Sequence, residues 1–135
     1  MKSVMAFGTF DIFHIGHLKT LKQAKQLGDK LIVVIARDVN VRELKEKGPV
    51  HNEDERREII SNIEVVDKAV LGNKSDVYKV IKDYKPDTIA LGYDQSHFVD
   101  KLRDKLQEFG LDCNIERLKP YKKEKIKSSK IKKKL

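Results

Sequence analysis

The chain has 135 residues, a length that favours one domain, and 37% of its residues are charged while 39% are hydrophobic. That composition is typical of a globular protein with an ionic surface and excludes an intrinsically disordered chain. The single cysteine excludes an internal disulfide. The first residues lack the apolar core of a signal peptide, and no apolar run reaches transmembrane length. We therefore expect a single cytoplasmic domain over residues 1–135.

The net charge of +8 belongs to the last segment of the chain. Residues 119–135 contain nine lysines and one acid, Glu124, whereas the preceding residues are neutral, with 20 basic and 20 acidic side chains. Such a segment can bind nucleic acid, and it can equally be a solvated helix end close to an anionic small molecule. Composition alone leaves both interpretations open.

Apolar strand patterns alternate with helical patterns from the start of the chain. Residues 2–7 predict a buried strand, and apolar residues at every third position after Gly16 predict a helix that Gly28 ends. The unbroken apolar run over residues 30–36 predicts a second strand that is buried on both faces, as in a parallel sheet.

The alternation continues to the end of the chain. The remaining strands are predicted at residues 65–71, 88–91 and 111–118. Helices are predicted at residues 53–63 with Asn52 as N-cap, 75–84, 98–109 before Gly110, and 128–135. This order predicts an α/β fold with a Rossmann-like, doubly wound parallel sheet.

Polar and small residues cluster directly after the first predicted strand, in the segment GTFDIFHIGH. Ligands bind beyond the carboxyl ends of strands in such sheets. Gly8 leaves room for a phosphate and Thr9 adds a hydroxyl, while His14 and His17 are three apart at a helix start and can face the same way. Gly16 lets the chain pass close to a ligand. With the free N–H groups of the helix start, these residues predict a triphosphate cradle.

The segment GTFDIFHIGH resembles the GTFD…HxGH signature of the cytidylyltransferase-like nucleotidyltransferases. The resemblance covers nearly the whole chain, including HNEDERREII, IALGYDQ and the closing IKSSKI. Within that superfamily, the ARD, GYDQ and PYKK stretches are most similar to archaeal FAD synthases, which adenylylate FMN; glycerol-3-phosphate cytidylyltransferases come next. Some aminoacyl-tRNA synthetases share the HIGH-type motif, but the length of this chain excludes them.

The resemblance implies roles for individual side chains. His14 and His17 would be catalytic, binding the phosphates and stabilising the pentacovalent transition state. Thr9 and Phe10 would contact the nucleotide through their backbone, and Asp94 would lie at the nucleoside with Tyr121 beside it. The full set of nucleotide-binding residues implied in this way is Gly8, Thr9, Phe10, Gly16, Arg56, Asp94, Tyr121, Ser128 and Ser129, with Lys45 or Lys47 as further candidates for phosphate binding.

The resemblance also implies a reaction, the transfer of AMP from ATP to FMN to give FAD and pyrophosphate. A glycerol-3-phosphate cytidylyltransferase that uses CTP is the alternative, and a non-catalytic nucleotide- or RNA-binding module ranks below it. A divalent cation, most simply Mg²⁺, is expected to be held by the triphosphate, because beyond Asp11 the chain offers few obvious ligands.

No protein metal site is therefore assigned. The expected partners are small-molecule substrates, ATP with FMN or another phosphate acceptor. No nucleic acid and no membrane is expected to bind, and a homodimer is left open.

Overall fold

In the computed structural model, which describes residues 1–44, 48–92, 95 and 99–120, five parallel strands form one sheet in the order β3-β2-β1-β4-β5. The strands are β1 Ser3–Gly8, β2 Lys30–Ile35, β3 Lys68–Leu71, β4 Thr88–Leu91 and β5 Asn114–Arg117. The helices are α1 Ile15–Lys25, α2 Asp38–Leu44, α3 Glu53–Ser61, α4 Lys79–Tyr84 and α5 Leu102–Phe109, with a 3-10 turn at Val99–Lys101. The predicted Rossmann-like α/β sheet is confirmed.

The central strands carry apolar side chains on both faces, which is why they have unbroken apolar runs. Val4 and Ala6 of β1 enter one core cluster, and Met5 between them enters the other. Each fully buried aliphatic side chain stabilises the fold by roughly 1.5–3 kcal/mol. The helix residues that complete the clusters are Leu21, Ala24 and Ile60 on one face and Val80, Ile81, Leu102 and Leu106 on the other.

The chain changes direction across the sheet at β1. β2 and β3 lie on one side of this strand, while β4 and β5 lie on the other. Because the connections leave the two sides of β1 over opposite faces, a crevice forms beyond the carboxyl ends of β1 and β4. The segment GTFDIFHIGH begins at the end of β1, so it lies at this crevice.

Local side-chain hydrogen bonds shorten one predicted helix. The helix predicted at residues 75–84 begins only at Lys79. Asn73 Oδ1 accepts from the Ser75 N–H at 3.1 Å, and Asp76 Oδ1 accepts from the Tyr78 N–H at 3.0 Å. Such bonds offer the backbone an alternative to the helix. The predicted start of this helix was therefore wrong.

Strand pairing and capping explain other differences in element bounds. The strand predicted at residues 65–71 covers only Lys68–Leu71, which is the part that pairs with β2. The strand predicted at 111–118 covers Asn114–Arg117, and α2 at Asp38–Leu44 was not predicted. The Asn52 cap was correct, since its side chain accepts from the Glu55 N–H at 2.9 Å.

Gly28 does not end α1 as predicted. The helix ends at Lys25, and its cap residue Gln26 has right-handed helical backbone. Among the described glycines, the positive φ that is typical of a glycine cap occurs at Gly110 and not at Gly28. A Cβ on Gly28 would lie 2.8 Å from the Lys2 carbonyl oxygen, so the close approach of the two backbones requires glycine.

The helix predicted at residues 128–135 lies outside the described residues. Within the described part of the chain, no helix is both long and apolar enough to cross a bilayer.

Candidate active site

The turn between β1 and α1 contains two non-glycine residues with left-handed backbone, Phe10 at φ 54° and Ile12 at φ 50°. This conformation costs an L-residue roughly 1–2 kcal/mol, so the surrounding packing must stabilise it. The Phe10 ring is buried beside Gly8, where a Cβ would lie 2.6 Å from Phe10 Cε2. Gly8 is therefore required by the Phe10 ring, in addition to any room that it leaves for a phosphate.

Asp11 connects the same turn to the segment before α3. Its carboxylate is 4% exposed and accepts from the Val50 N–H at 2.7 Å and the His51 N–H at 3.0 Å. Hydrogen bonds from N–H groups to a carboxylate are among the stronger ones in proteins. Both oxygens thus hold the backbone, which gives Asp11 a structural task that the sequence did not reveal.

Arg56 connects three segments through one buried guanidinium. Nε donates to the His51 carbonyl at 3.0 Å, Nη1 to the Thr9 carbonyl at 2.8 Å, and Nη2 to Asp38 Oδ1 at 2.6 Å. The side chain is fully buried. Arg56 was expected at a phosphate, but all three of its nitrogens donate to protein acceptors, so it could bind a phosphate only in addition to these bonds or by releasing one of them.

Asp38 and Glu53 complete this network, and sequence reasoning assigned them no role. The Asp38 N–H donates to Glu53 Oε1 at 2.8 Å, and the Glu53 N–H donates to Asp38 Oδ2 at 3.1 Å. The Asp38 N–H and the Arg37 guanidinium hold the pKa of Glu53 below its usual value. The available signal was the ARD stretch at the end of β2, which was noted only as part of the resemblance.

His14 and His17 form the N-terminal cap of α1 with their own imidazoles. His14 Nδ1 accepts from the Gly16 N–H at 3.0 Å, and His17 Nδ1 accepts from the His14 N–H at 3.2 Å. A neutral imidazole that accepts at Nδ1 carries its proton on Nε2. Both rings therefore present an Nε2–H donor away from the helix backbone.

The two rings face the same way, as predicted. Their centroids are 3.9 Å apart with an interplanar angle of 25°, and Phe10 and Phe13 lie beside His17 at 5.6 and 5.4 Å. Burial, together with a smaller contribution from nearby His14, lowers the pKa of His17 to about 4, while Asp11 acts in the opposite direction. Burial also lowers the pKa of His14. Both imidazoles are thus neutral donors at pH 7.

The pair is arranged to receive an anion. His14 Nε2 is buried and has no hydrogen-bond partner among the described residues, although a buried donor without a partner costs about 1–3 kcal/mol. The first turn of α1 contains no acidic residue, whereas that of α3 contains Glu53, Asp54 and Glu55. The first turn of α1 therefore supplies no carboxylate of its own at the positive end of the helix dipole, where an anion is favoured.

Beyond the end of β4, the Gln95 side chain accepts from the Gly92 N–H at 2.7 Å and donates to the Phe7 carbonyl at 2.9 Å.

Some of the predicted site residues lie in the β1–α1 segment at this crevice. They are Thr9, Phe10, Gly16, His14 and His17. The other expected site residues, Asp94, Tyr121, Ser128, Ser129, Lys45 and Lys47, lie outside the described residues.

Residues 5–134 match the family described as Cytidylyltransferase-like, and the chain belongs to that family. Among its relatives, the FAD synthase of Aciduliprofundum boonei is 46% identical over 90% of this chain and 80% of that protein. The FAD synthase of Thermoplasma volcanium is 42% identical over 100% of this chain and 94% of that protein.

The crystal structure of a lipopolysaccharide core biosynthesis protein from Thermoplasma volcanium has the same architecture. Its TM-score is 0.84 at 44% identity, over 90% of this chain and 98% of that one. The predicted family and fold are both confirmed.

Proposed function

We propose that this chain is an FAD synthase, which transfers AMP from ATP to FMN and releases pyrophosphate. The observation that carries the proposal is the pair of Nε2–H donors on His14 and His17, one of them buried without a described partner, at the start of α1, whose first turn contains no acidic residue. Relatives named FAD synthase, 42% and 46% identical over nearly the whole chain, support FMN as the acceptor. We further propose that residues 1–135 act as one nucleotidyltransferase domain.

The proposed chemistry needs no covalent enzyme intermediate. An oxygen of the FMN phosphate attacks the α-phosphorus of ATP in line, the bond from that phosphorus to the bridging oxygen breaks, and pyrophosphate leaves. His14 and His17 donate from Nε2 to phosphate oxygens whose negative charge increases in the transition state. Because both rings are already fixed by backbone hydrogen bonds, little reorganisation is required when charge develops.

The divalent cation belongs to the same proposal. The described residues contain no group of three or more His, Cys, Asp or Glu side chains placed to hold a metal, and both Asp11 oxygens accept backbone N–H groups. This donor set fits an ion, most simply Mg²⁺, that is held mainly by the phosphates. Such an ion would neutralise phosphate charge during the transfer.

The substrate assignment is tested by a screen for pyrophosphate release. ATP and CTP are each combined with FMN, glycerol-3-phosphate and phosphopantetheine. We expect release from ATP with FMN, together with formation of FAD detected by chromatography. Turnover of CTP with glycerol-3-phosphate, without turnover of ATP with FMN, would replace this proposal with the cytidylyltransferase alternative.

Asparagine variants of the histidines separate capping from catalysis. Asn can accept a backbone N–H as Nδ1 does, and at the N-cap position of His14 it is a preferred residue, but it has no group at the Nε2 position. His14→Asn and His17→Asn should therefore keep the melting temperature close to that of the wild type while kcat falls about 10²–10³-fold. The matched control is His51→Asn, since in the network around Asp11 and Arg56 His51 contributes its backbone N–H and carbonyl. Wild-type kcat in both site variants would contradict the catalytic assignment.

A further inference from the structure

The Thr9 carbonyl is held at the point where the β1–α1 turn begins. This carbonyl belongs to the peptide unit that joins Thr9 to Phe10, and Phe10 has left-handed backbone at φ 54°. Arg56 Nη1 donates to the carbonyl oxygen at 2.8 Å. Because left-handed backbone is unfavourable for an L-residue, a hydrogen bond that fixes the preceding peptide plane helps to keep the turn in this conformation.

The conformation of Phe10 determines the surroundings of His17. The Phe10 ring is buried, and its centroid lies 5.6 Å from that of His17 in an edge-to-face arrangement. The titratable groups that act on His17 are His14 and Asp11, both from the same segment of the chain. A rotation of the peptide plane between Thr9 and Phe10 would therefore change the packing against the His17 imidazole.

Asp38 and Glu53 hold Arg56 in the orientation that reaches Thr9. Asp38 Oδ1 accepts from Arg56 Nη2 at 2.6 Å, and Asp38 Oδ2 accepts from the Glu53 N–H at 3.1 Å. Glu53 Oε1 in turn accepts from the Asp38 N–H at 2.8 Å. Asp38 and Glu53 are the first residues of α2 and α3, so this reciprocal pair joins two helix starts and fixes the carboxylate that binds Arg56.

We propose that Asp38 and Glu53 are positioning residues that act through Arg56 on the β1–α1 turn. They keep the turn in the conformation that presents the donors of His14 and His17, and they do not touch substrate themselves. This inference rests on the proposed function, which supplies the triphosphate as the ligand of the turn. If the turn occupied this conformation for a smaller fraction of the time, the apparent affinity for the ligand would fall by that fraction.

The first two variants are Glu53→Ala and Glu53→Gln. Ala removes the acceptor of the Asp38 N–H, whereas Gln retains one oxygen for it. Both lose the ion pair with Arg37, so the difference between them reports the hydrogen bond. We expect the Kd and KM for ATP to rise about tenfold with Ala, the effect of losing one charge-assisted hydrogen bond, and less with Gln. The kcat should change less, because saturating substrate restores the turn.

The third variant is Asp38→Asn, which offers one oxygen to two donors. Either Arg56 Nη2 or the Glu53 N–H then faces the new NH₂ group, so a rise in Kd of at least tenfold is expected. The matched control is Asp87→Asn. Asp87 Oδ2 also accepts a backbone N–H, that of Ser3 at 2.8 Å, but Asp87 precedes β4 at the amino ends of the strands, and its substitution should leave the Kd unchanged.

The surroundings of His17 give a readout that does not depend on turnover. In the wild type, burial holds the pKa of His17 at about 4, below the ordinary 6.5. A turn that opens for part of the time exposes the ring, so NMR titration of folded Glu53→Ala and Asp38→Asn should give a higher pKa for His17. Ile81→Val, in the core cluster that contains Met5, should lower the melting temperature without changing this pKa.

Kd is measured by calorimetry with ATP alone, next to KM, kcat and melting temperature. A rise in Kd and in the pKa of His17 with Glu53→Ala, smaller with Glu53→Gln, supports the proposal. Wild-type values in folded Glu53→Ala overturn it, as do equal changes in the Ala and Gln variants or in Ile81→Val. If Asp38→Asn does not fold, the Glu53 variants decide alone. If ATP with FMN gives no pyrophosphate, the proposed function fails, while the pKa of His17 in the same variants still decides the positioning role.

Discussion

At the scale of single residues, the site depends on which nitrogen of each histidine is already engaged. Ser, Thr, Asp or Asn would cap α1 at least as well as His14, yet these shorter side chains would place no donor at the position of the imidazole Nε2. In His14 and His17, Nδ1 satisfies a backbone N–H and Nε2 is left for a ligand. Each imidazole thus fixes the start of α1 through Nδ1 and presents its Nε2–H donor in a defined direction.

The low pKa of His17 predicts a loss of stability in mild acid. Burial holds the folded-state pKa near 4, below the ordinary 6.5, so between these values the unfolded chain binds a proton that the folded chain excludes. The free energy of unfolding should therefore fall as the pH falls from about 6.5 to about 4, and be unaffected by this group above that window. Urea titrations at several pH values measure this, and His17→Asn should show a shallower decline. An equal decline in the variant would contradict the assignment.

The buried guanidinium of Arg56 predicts a large loss of stability on truncation. Arg56→Met leaves Asp38 and two carbonyls without their donor, and breaking a buried pair of this kind costs about 3–5 kcal/mol. Arg57→Met is the matched control on the same helix. Arg57 is exposed, and its Nη2 lies 3.8 Å from Asp54 Oδ1, so this surface ion pair should contribute little to stability. Chemical denaturation of both variants measures the difference, and equal stability would show that the network contributes little.

A phosphate role for Arg56 makes a separate kinetic prediction. Arg56→Lys should retain a charge but only part of the hydrogen bonding, since the ammonium cannot reproduce the planar guanidinium. If Arg56 also binds phosphate, the KM for ATP should rise at temperatures where the variant is fully folded. An unchanged KM in the folded variant would limit Arg56 to its structural task.

At the scale of elements, α5 has a defined end at Gly110. This residue has φ 70°, and nothing lies within 4 Å of the position of a Cβ, so only the backbone conformation requires glycine. Gly110→Ala should destabilise the protein by roughly 1 kcal/mol, and Gly110→Asn by less, because Asn tolerates left-handed backbone. Thermal unfolding of both variants tests this. Alanine as stable as asparagine would show that the conformation is not under strain.

At the scale of the whole molecule, the concentration of the net positive charge in residues 119–135 predicts how this lysine-rich segment affects activity. Changing Lys132, Lys133 and Lys134 together to Gln should alter turnover only modestly, because the sequence predicts that they lie further along the last helix than Ser128 and Ser129, and charges in solvent are screened over roughly 8–10 Å at ordinary salt. Ser129→Ala should raise the KM for the triphosphate or lower turnover, as the family resemblance implies. Pyrophosphate release measures both effects. Tight RNA binding with steep salt dependence in the wild type, lost in the triple variant, would favour a nucleic-acid role instead.

Much of the architecture could be predicted from hydrophobic pattern alone. The runs that became β1, β2 and β4 are buried on both sides, and a strand of that kind is recognisable without knowledge of its neighbours. Element bounds were predicted less well where side chains compete with the helix, as Asn73 and Asp76 do before α4. α2 was missed because its seven residues carry no strong periodic signal.

The sequence by itself determined the family, the alternation of strands and helices, and the placement of His14 and His17 at a helix start, since these depend on motif and local periodicity. Only the tertiary structure decided what Asp11 and Arg56 do, because their partners are far along the chain: Asp11 binds the backbone of Val50, and Arg56 the carbonyl of Thr9. The same holds for Gly8, whose missing Cβ is explained by the fold of the Phe10 ring over it. Local pattern specifies which residues are near a helix or strand end, whereas long-range packing specifies which of them are free to bind a ligand.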